Sequence, residues 1–150
     1  MEDANDIYQL VFHPSPTLKE KLVEEIHWID DEHKAIAEKM IRTMYAKKGC
    51  GLSTPQVGLK FRMIVYDAGE GAKVMFNPFI TNRLPKKERA GEGCLSFPKL
   101  AVPVQRFKTI LVRYRGLDNI VREEQFSDFE ARIIQHEIDH LDGIVFLQRK

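Results

Sequence analysis

The stretch "IIQHEIDHLDG", residues 133–143, places His136 and His140 four positions apart, with Glu137 beside the first histidine. On a helix, residues four apart share a face with Cβ atoms roughly 5 to 6 Å apart, so both imidazoles can reach one metal ion. The neighbouring carboxylate can then act on a water at that ion, which is the chemistry of the His-Glu-x-x-His pattern. The alternative is a surface helix whose histidines and acids are solvated.

The residues around this stretch predict a helix over residues 128–141. One face is apolar and consists of Ile134, Ile138 and Leu141. The other face carries Ile133, Glu137 and His140, with His136 at its border. Residues 127–130 read Ser-x-x-Glu, the form of a capping box, and Asp142-Gly143 is typical of a left-handed C-terminal cap. This pattern is typical of a central helix covered by strands.

The composition is that of a soluble globular domain. The 150 residues include 23 basic and 22 acidic side chains, a balance that argues against a broad nucleic-acid surface. The length suits one domain over residues 1–150. No apolar stretch approaches the ~20 residues of a membrane helix, and the acidic N-terminus "MEDANDIYQL" is unlike a basic leader peptide. We expect a cytoplasmic protein with no membrane partner and no specific nucleic-acid partner.

The pattern along the chain predicts an α+β fold. An amphipathic helix is expected from Asp30-Asp31 to a stop at Gly49, and Lys86-Lys87 is expected in a solvated loop. Short turns between strands require antiparallel pairing, because a parallel return needs a crossover of about a dozen residues. We therefore expect a single domain of antiparallel β-sheets packed around the central helix. The predicted strands lie at 61–68, 74–81, 109–116, 120–126 and, as "GIVFL", at 143–147.

A catalytic metal site has three protein ligands and one open position, so a third ligand must come from elsewhere in the chain. Cys94, in "GEGCLSFP" (residues 91–98), is the preferred candidate, because the glycines at 91 and 93 allow the backbone to approach closely. Cys50 is also flanked by glycines, and His13 in a predicted loop stays a further possibility. The alternatives for the cysteines are a small buried residue in a tight turn, or a disulfide between them.

Three segments occur together in a known order: "GCGLSTPQ" (49–56), "EGCLS" (92–96) and "QHEIDH" (135–140). With these segments, nearly the whole chain resembles the peptide deformylases, metallohydrolases that remove the formyl group from the N-terminal methionine of new polypeptides. The resemblance implies that the metal ligands are Cys94, His136 and His140. It implies that Glu137 is the general base and that the Gln56 side chain and the Leu95 backbone N–H polarise the formyl carbonyl. It further implies a supporting ion pair between Glu92 and Arg106.

The resemblance also implies the cofactor and the substrate. The cofactor is one divalent metal ion, with Fe²⁺ as the native ion and Zn²⁺, Ni²⁺ or Co²⁺ able to substitute. The expected partners are N-formylmethionyl nascent peptides. Ile133 and Phe129 lie one and two turns before Glu137 and are expected to line an apolar slot, for which ordinary core packing is the alternative. Gly51 and Gly93 are expected to let the peptide align as an added strand.

Two features depart from the family's usual pattern. Ser53-Thr54 stands where the family usually has two alanines, which adds hydroxyl groups close to the expected site. The sequence ends at "FLQRK", where many members continue into a C-terminal helix, so a transient ribosome association would lack that helix. A monomer is expected.

Two other functions stay open at this point. A zinc endopeptidase also uses His-Glu-x-x-His, but the upstream cysteine ligand and the short chain argue against it. An inert relative would bind formylated N-termini without turnover, but the presence of Glu137 and Gln56 argues against it. A structural zinc site is disfavoured because four protein ligands usually close such sites.

Overall fold

The structure, a computed structural model, describes residues 6–150, so the first half of the acidic N-terminus discussed above lies outside the described residues. Within residues 6–150 the chain forms two α-helices, α1 (Asp31–Ala46) and α2 (Asp128–Leu141). Three 3-10 helices lie at Pro16–Lys19, Thr54–Val57 and Phe146–Arg149. The strands are β1 (Gly51–Ser53), β2 (Met63–Tyr66), β3 (Lys73–Arg83), β4 (Lys87–Cys94), β5 (Phe97–Phe107), β6 (Thr109–Arg115) and β7 (Val121–Ser127).

The strands form two antiparallel sheets. Five of them pair in the order β1-β2-β3-β6-β7, and β4 pairs with β5 as a separate two-stranded sheet. Each of the four predicted β-rich runs between residues 61 and 126 overlaps one strand, although β3 and β7 extend beyond the predicted bounds. The predicted α+β fold with antiparallel sheets is therefore confirmed.

The large sheet lies between the two helices, and strand β2 shows why. Its sequence "MIVY" is apolar at every position, and all four residues are fully buried. Met63 and Val65 pack in a cluster with α1, whereas Ile64 and Tyr66 pack in a cluster with α2. Side chains of a strand point alternately to opposite faces, so an unbroken apolar run fits a strand covered on both sides.

Helix α2 is the central element, as predicted, and it spans the predicted residues 128–141. Its apolar face packs on the large sheet, and its other face is also buried, from Ile133 through Leu141. The predicted left-handed cap is present, since Gly143 has φ of +74°. A Cβ at this glycine would lie 2.5 Å from the Lys19 carbonyl oxygen, so the close approach also requires glycine.

The predicted capping box at residues 127–130 is wrong. Ser127 is the N-cap residue but makes no side-chain capping bond, and its hydroxyl lies 2.9 Å from that of Thr109 on the paired strand β6. Glu130 instead accepts hydrogen bonds from the Tyr66 hydroxyl and the Lys73 ammonium group. Tertiary partners have replaced the local ones.

Three further boundaries differ from the sequence predictions. Helix α1 ends at Ala46 rather than at Gly49, because Lys48 takes the left-handed conformation with φ of +60°. The strand expected at "GIVFL" is wrong, because residues 143–145 form a turn and a short irregular segment and Phe146 begins the 3-10 helix Phe146–Arg149. Phe146 lies in a small apolar cluster. Lys87 begins strand β4 and does not lie in a loop. Among the described helices, none is long and apolar enough to cross a membrane.

Candidate active site

Cys94, His136 and His140 come together at the centre of the molecule. One ligand atom from each residue lies within 4.8 Å of the others, and Cys94 Sγ is 3.3 Å from His140 Nε2. The two histidines lie one turn apart on α2, with ring centroids separated by 5.1 Å. A thiolate with two imidazoles is a donor set that suits zinc or iron, so these residues fit a divalent metal ion.

Cys94 reaches this group because strand β4 ends there. It pairs with Phe97 of β5 across the two-residue turn formed by Leu95 and Ser96, and the register of the β4–β5 pair shifts between Gly93 and Cys94. A register shift of this kind turns a side chain away from the regular direction of the strand. Cys94 therefore lies beside a tight turn and also belongs to the group that could bind a metal ion.

The other candidate ligands lie elsewhere. Cys50 is exposed, and both cysteines are free, which excludes the disulfide alternative in this structure. His13 stacks on the Phe97 ring at 4.5 Å, and His33 hydrogen-bonds to the Asp30 backbone at the start of α1. His27 is exposed.

Glu92 holds the His136 ring through a hydrogen bond. His136 Nδ1 lies 2.8 Å from Glu92 Oε1, and because a carboxylate can only accept, the histidine donates here and its Nε2 stays available. Arg106 donates two bonds of 3.0 Å to the Glu92 carboxylate, so the ion pair expected from the resemblance is present. Burial by itself would raise the pKa of Glu92, but the bonds from His136 and Arg106 outweigh it and lower the pKa to about 2.

A wider ionic network surrounds this pair, and the sequence reasoning missed it. Arg132 donates to Glu92 at 2.6 Å, Arg106 also contacts Asp139, and Arg149 contacts Asp139 at 3.1 Å. Arg132 could have been found, because it lies four residues before His136 on the same helix. Arg149 carries no local signal, since it reaches Asp139 from the 3-10 helix after α2.

The surroundings of the two histidines shift their pKa values in opposite directions. Burial would lower the pKa of His136, but the charge of Glu137 and the hydrogen bonds to Cys94 and Glu92 outweigh this and raise the pKa to about 10. Burial, together with positive charge on His136, holds the pKa of His140 well below its usual value. A metal ion requires neutral imidazoles and a thiolate, so its binding would displace the proton from His136.

Glu137 is buried beside the metal-ligand group. Its Oε1 has no hydrogen-bond partner within residues 6–150, and burial raises the pKa of the carboxyl to about 7. The side chain fits there because residue 51 is a glycine. A Cβ on Gly51 would lie 2.5 Å from Glu137 Oε2 and 2.9 Å from Ile133 Cγ2. A carboxylate with these properties can exchange a proton near neutral pH.

Gln56 lies next to Cys94 and belongs to the 3-10 helix Thr54–Val57. Its side chain is buried, and Nε2 lies 3.6 Å from Cys94 Sγ and 3.2 Å from Ser96 Oγ. Its Oε1 accepts from the Ser53 backbone N–H at 3.0 Å and from the Ser53 hydroxyl at 2.9 Å. The amide N–H₂ group therefore points toward the metal-ligand group.

A cavity of about 640 Å³ opens onto this arrangement. Ile133 forms part of its buried wall, whereas Phe129 is 55% exposed and stands at its rim. The cavity brings together the residues predicted for catalysis, metal binding and substrate binding, with the exception of His140, which lies beneath it. The lining includes Gly51, Gln56, Glu92, Gly93, Cys94, Leu95, Phe129, Ile133, His136 and Glu137.

The fold and this site define a single-domain α+β protein with a candidate metal centre and a buried carboxylate at an open cavity. The family described as "Polypeptide deformylase" matches residues 7–150 of the sequence. This chain belongs to the polypeptide deformylase family.

Individual relatives agree with this assignment. Peptide deformylase from Thermotoga maritima is 38% identical over 143 residues, which cover 95% of this chain and 87% of that protein. Peptide deformylase from Desulforudis audaxviator is 40% identical over 144 residues, which cover 95% of this chain and 93% of that protein. The crystal structure of the Thermotoga maritima enzyme has a TM-score of 0.92 and covers 95% of this chain and 97% of its own.

Proposed function

We propose that this protein is a metal-dependent hydrolase that removes the formyl group from the N-terminal formylmethionine of nascent polypeptides. The observation that carries the proposal is the Cys94, His136 and His140 group, with ligand atoms within 4.8 Å of one another, at a cavity that also contains Glu137 and Gln56. Membership of the deformylase family supports the same reaction. Metal identity stays a prediction from the resemblance, with Fe²⁺ as the native ion and Zn²⁺, Ni²⁺ or Co²⁺ as substitutes.

Different residues around the cavity carry out different parts of the proposed reaction. A divalent ion bound to Cys94, His136 and His140 would act as a Lewis acid and lower the pKa of a water toward neutrality. Glu137 takes a proton from the attacking water and returns it to the departing amine nitrogen, a role worth typically ~10² to 10⁴-fold. Gln56 Nε2 and the Leu95 backbone N–H donate to the oxygen of the formyl group as charge develops there. One such well-placed donor contributes roughly 3 to 4 kcal/mol.

Substrate binding is assigned to the walls of the same cavity. Ile133 and Phe129 offer apolar surface for a methionine side chain. Gly51 is the first residue of β1, the edge strand of the large sheet, and Gly93 is the next-to-last residue of β4 in the small sheet. The peptide backbone can align beside them as an added strand. Backbone bonding of this kind accepts many sequences, which suits an enzyme that acts on every new chain. Cytoplasmic location, a monomeric state and any ribosome association stay predictions from the sequence.

The test is amine release from a formyl-Met tripeptide, with the acetyl-Met tripeptide as the matched control. The protein is purified without oxygen, because ferrous iron with a thiolate ligand is oxygen-sensitive, and its bound metal is measured. We expect rapid hydrolysis of the formyl peptide while the acetyl peptide is spared. Bound metal with neither peptide hydrolysed would overturn the proposal in favour of an inert binder. Cleavage of an internal peptide bond would instead indicate an endopeptidase.

A further inference from the structure

Ser53 makes an unusual pair of contacts with Gln56. Its backbone N–H and its hydroxyl both donate to the same atom, Gln56 Oε1, at 3.0 and 2.9 Å. Both residues are buried, with Ser53 fully inaccessible and Gln56 1% exposed. Both polar hydrogens of Ser53 are therefore directed at the Gln56 side chain.

The backbone N–H of Ser53 fixes which way the Gln56 amide faces. An N–H group can only donate, so the atom that it contacts must be the amide oxygen. The amide nitrogen then faces Ser96 and Cys94. Ser96 is itself held by its hydroxyl, which donates to the Val11 carbonyl at 2.6 Å and thus presents a lone pair to Gln56. These contacts set the identity of each amide atom.

One bond to Oε1 still leaves the amide plane able to rotate. The last torsion of a glutamine side chain is broad, because it joins a tetrahedral carbon to a planar amide. A second donor that reaches the same oxygen from the side chain of Ser53 restrains this rotation. It also polarises the amide, and a polarised amide is a stronger donor through its nitrogen.

We propose that Ser53 is a positioning residue whose hydroxyl holds the Gln56 amide in the orientation needed to donate to the reacting formyl oxygen. The inference rests on the proposed function, in which Gln56 supplies one of the two donors. Ser53 touches neither the substrate nor the metal ligands, and it acts through Gln56 alone. The gain comes from restricting Gln56 before the substrate binds.

The neighbouring residue supplies a matched control. Thr54 is also buried and also carries a hydroxyl, but that hydroxyl donates to the backbone carbonyls of Phe61 and Met63. It links the 3-10 helix to the start of strand β2, and its hydrogen bonds go to these carbonyls rather than to Gln56. Loss of the Thr54 hydroxyl should therefore affect folding, whereas loss of the Ser53 hydroxyl should affect turnover.

The experiment is a double-mutant cycle on deformylation kinetics. Ser53→Ala should lower kcat roughly 3 to 10-fold, the size expected for one net hydrogen bond, with KM and metal content unchanged. In a Gln56→Ala background the same Ser53→Ala change should have no further effect on kcat. Thr54→Val should lower the melting temperature and leave kcat of the folded protein unchanged. An equal loss of kcat in both backgrounds, or none in either, would overturn the proposal.

A second measurement does not depend on turnover. The side-chain amide signals of Gln56 can be assigned in the ¹⁵N spectrum by their absence in Gln56→Ala. In Ser53→Ala they should shift and broaden, because the amide gains rotational freedom, while Thr54→Val should leave them in place. Unchanged Gln56 signals in Ser53→Ala would contradict the positioning role even in a protein without deformylase activity. Failure of the proposed function is recognised separately, by the wild-type protein releasing no amine.

Discussion

At the scale of single residues, the proposed chemistry depends on the carboxylate of Glu137. Its Oε1 has no partner within the described chain, and its pKa is raised to about 7 by burial, so it can take and return a proton. Glu137→Gln keeps the shape of the side chain but removes this ability. We expect turnover to fall by at least ~10²-fold with metal content unchanged, measured by amine release and by metal analysis. An active variant would refute the assigned role, as would one that has lost its metal.

Gly51 determines whether that carboxylate can occupy its position. A Cβ there would lie 2.5 Å from Glu137 Oε2, so Gly51→Ala should displace the end of the glutamate side chain. A misplacement of about 1 Å can cost ~10²-fold in rate, and we expect a loss of that order in kcat from a protein that remains folded.

Gly91→Ala is the matched control for that substitution. A Cβ at Gly91 meets no atom within 4 Å, and its φ lies outside the left-handed region. The control should therefore keep its stability, and because Gly91 also lines the cavity, its turnover should fall far less than that of Gly51→Ala. Equal kinetics for Gly51→Ala and the wild-type protein would show that Glu137 keeps a catalytically competent position when a Cβ is added at residue 51.

At the scale of elements, helix α2 could be predicted from the sequence almost residue for residue. Its apolar spacing and its C-terminal glycine are local signals, and both appear in the structure. The side-chain contacts that cap the start of the helix could not be predicted. Ser127 and Glu130 match a capping box locally, but their side chains bind Thr109 and Tyr66, which approach only when the sheet has formed. Tertiary partners outcompete a local motif when they reach the same polar atoms.

Strands β4 and β5, unlike helix α2, could not be predicted from their own sequences. β4 reads "KERAGEGC", and most of its residues remain exposed, so it lacks the alternation that marks a half-buried strand. Its strand conformation depends on the pairing with β5, for which its own sequence gives no signal. The candidate site was easier to predict than these strands, because Cys94, His136, Glu137 and Gln56 lie in motifs of specific composition. Arg149 was missed since its contact with Asp139 depends on the path of the chain after α2.

The packing of α2 gives a prediction at this scale. Ile134 is fully buried between α2 and the large sheet, so Ile134→Ala should leave a cavity. We expect it to lower the free energy of unfolding by about 2 to 5 kcal/mol in a denaturant titration. Ile120 is 55% exposed, and Ile120→Ala should change that free energy by less than about 0.5 kcal/mol. Equal losses in the two variants would contradict the central position of α2.

At the scale of the whole molecule, the candidate metal centre adds a link between the small sheet and helix α2. Cys94 belongs to the two-stranded sheet, whereas His136 and His140 belong to the helix beneath the five-stranded sheet. The small sheet already contacts α2 through the Phe146 ring, which lies 5.2 Å from that of Phe97 and 5.6 Å from that of His136, and through the ion pairs of Glu92 and Arg106. A metal ion shared by the three ligands would therefore act as a cross-link between the two sheets.

Metal loading should consequently stabilise the entire fold. A ligand at 100 times its dissociation constant adds about 2.7 kcal/mol to the free energy of unfolding. For a chain of 150 residues this corresponds to a rise in melting temperature of roughly 5 to 10 °C. The measurement is thermal unfolding of the chelator-treated protein with and without added Zn²⁺.

The two cysteines provide the comparison that locates the effect. Cys94→Ser removes one ligand of the group, and we expect it to lose most of the metal-induced rise in melting temperature. Cys50 is exposed and outside the group, so Cys50→Ser should keep the rise. Because each variant is compared with itself, with and without metal, any general destabilisation cancels. A Cys94→Ser protein that gained as much as the wild type would place the stabilising ion outside the group formed by Cys94, His136 and His140.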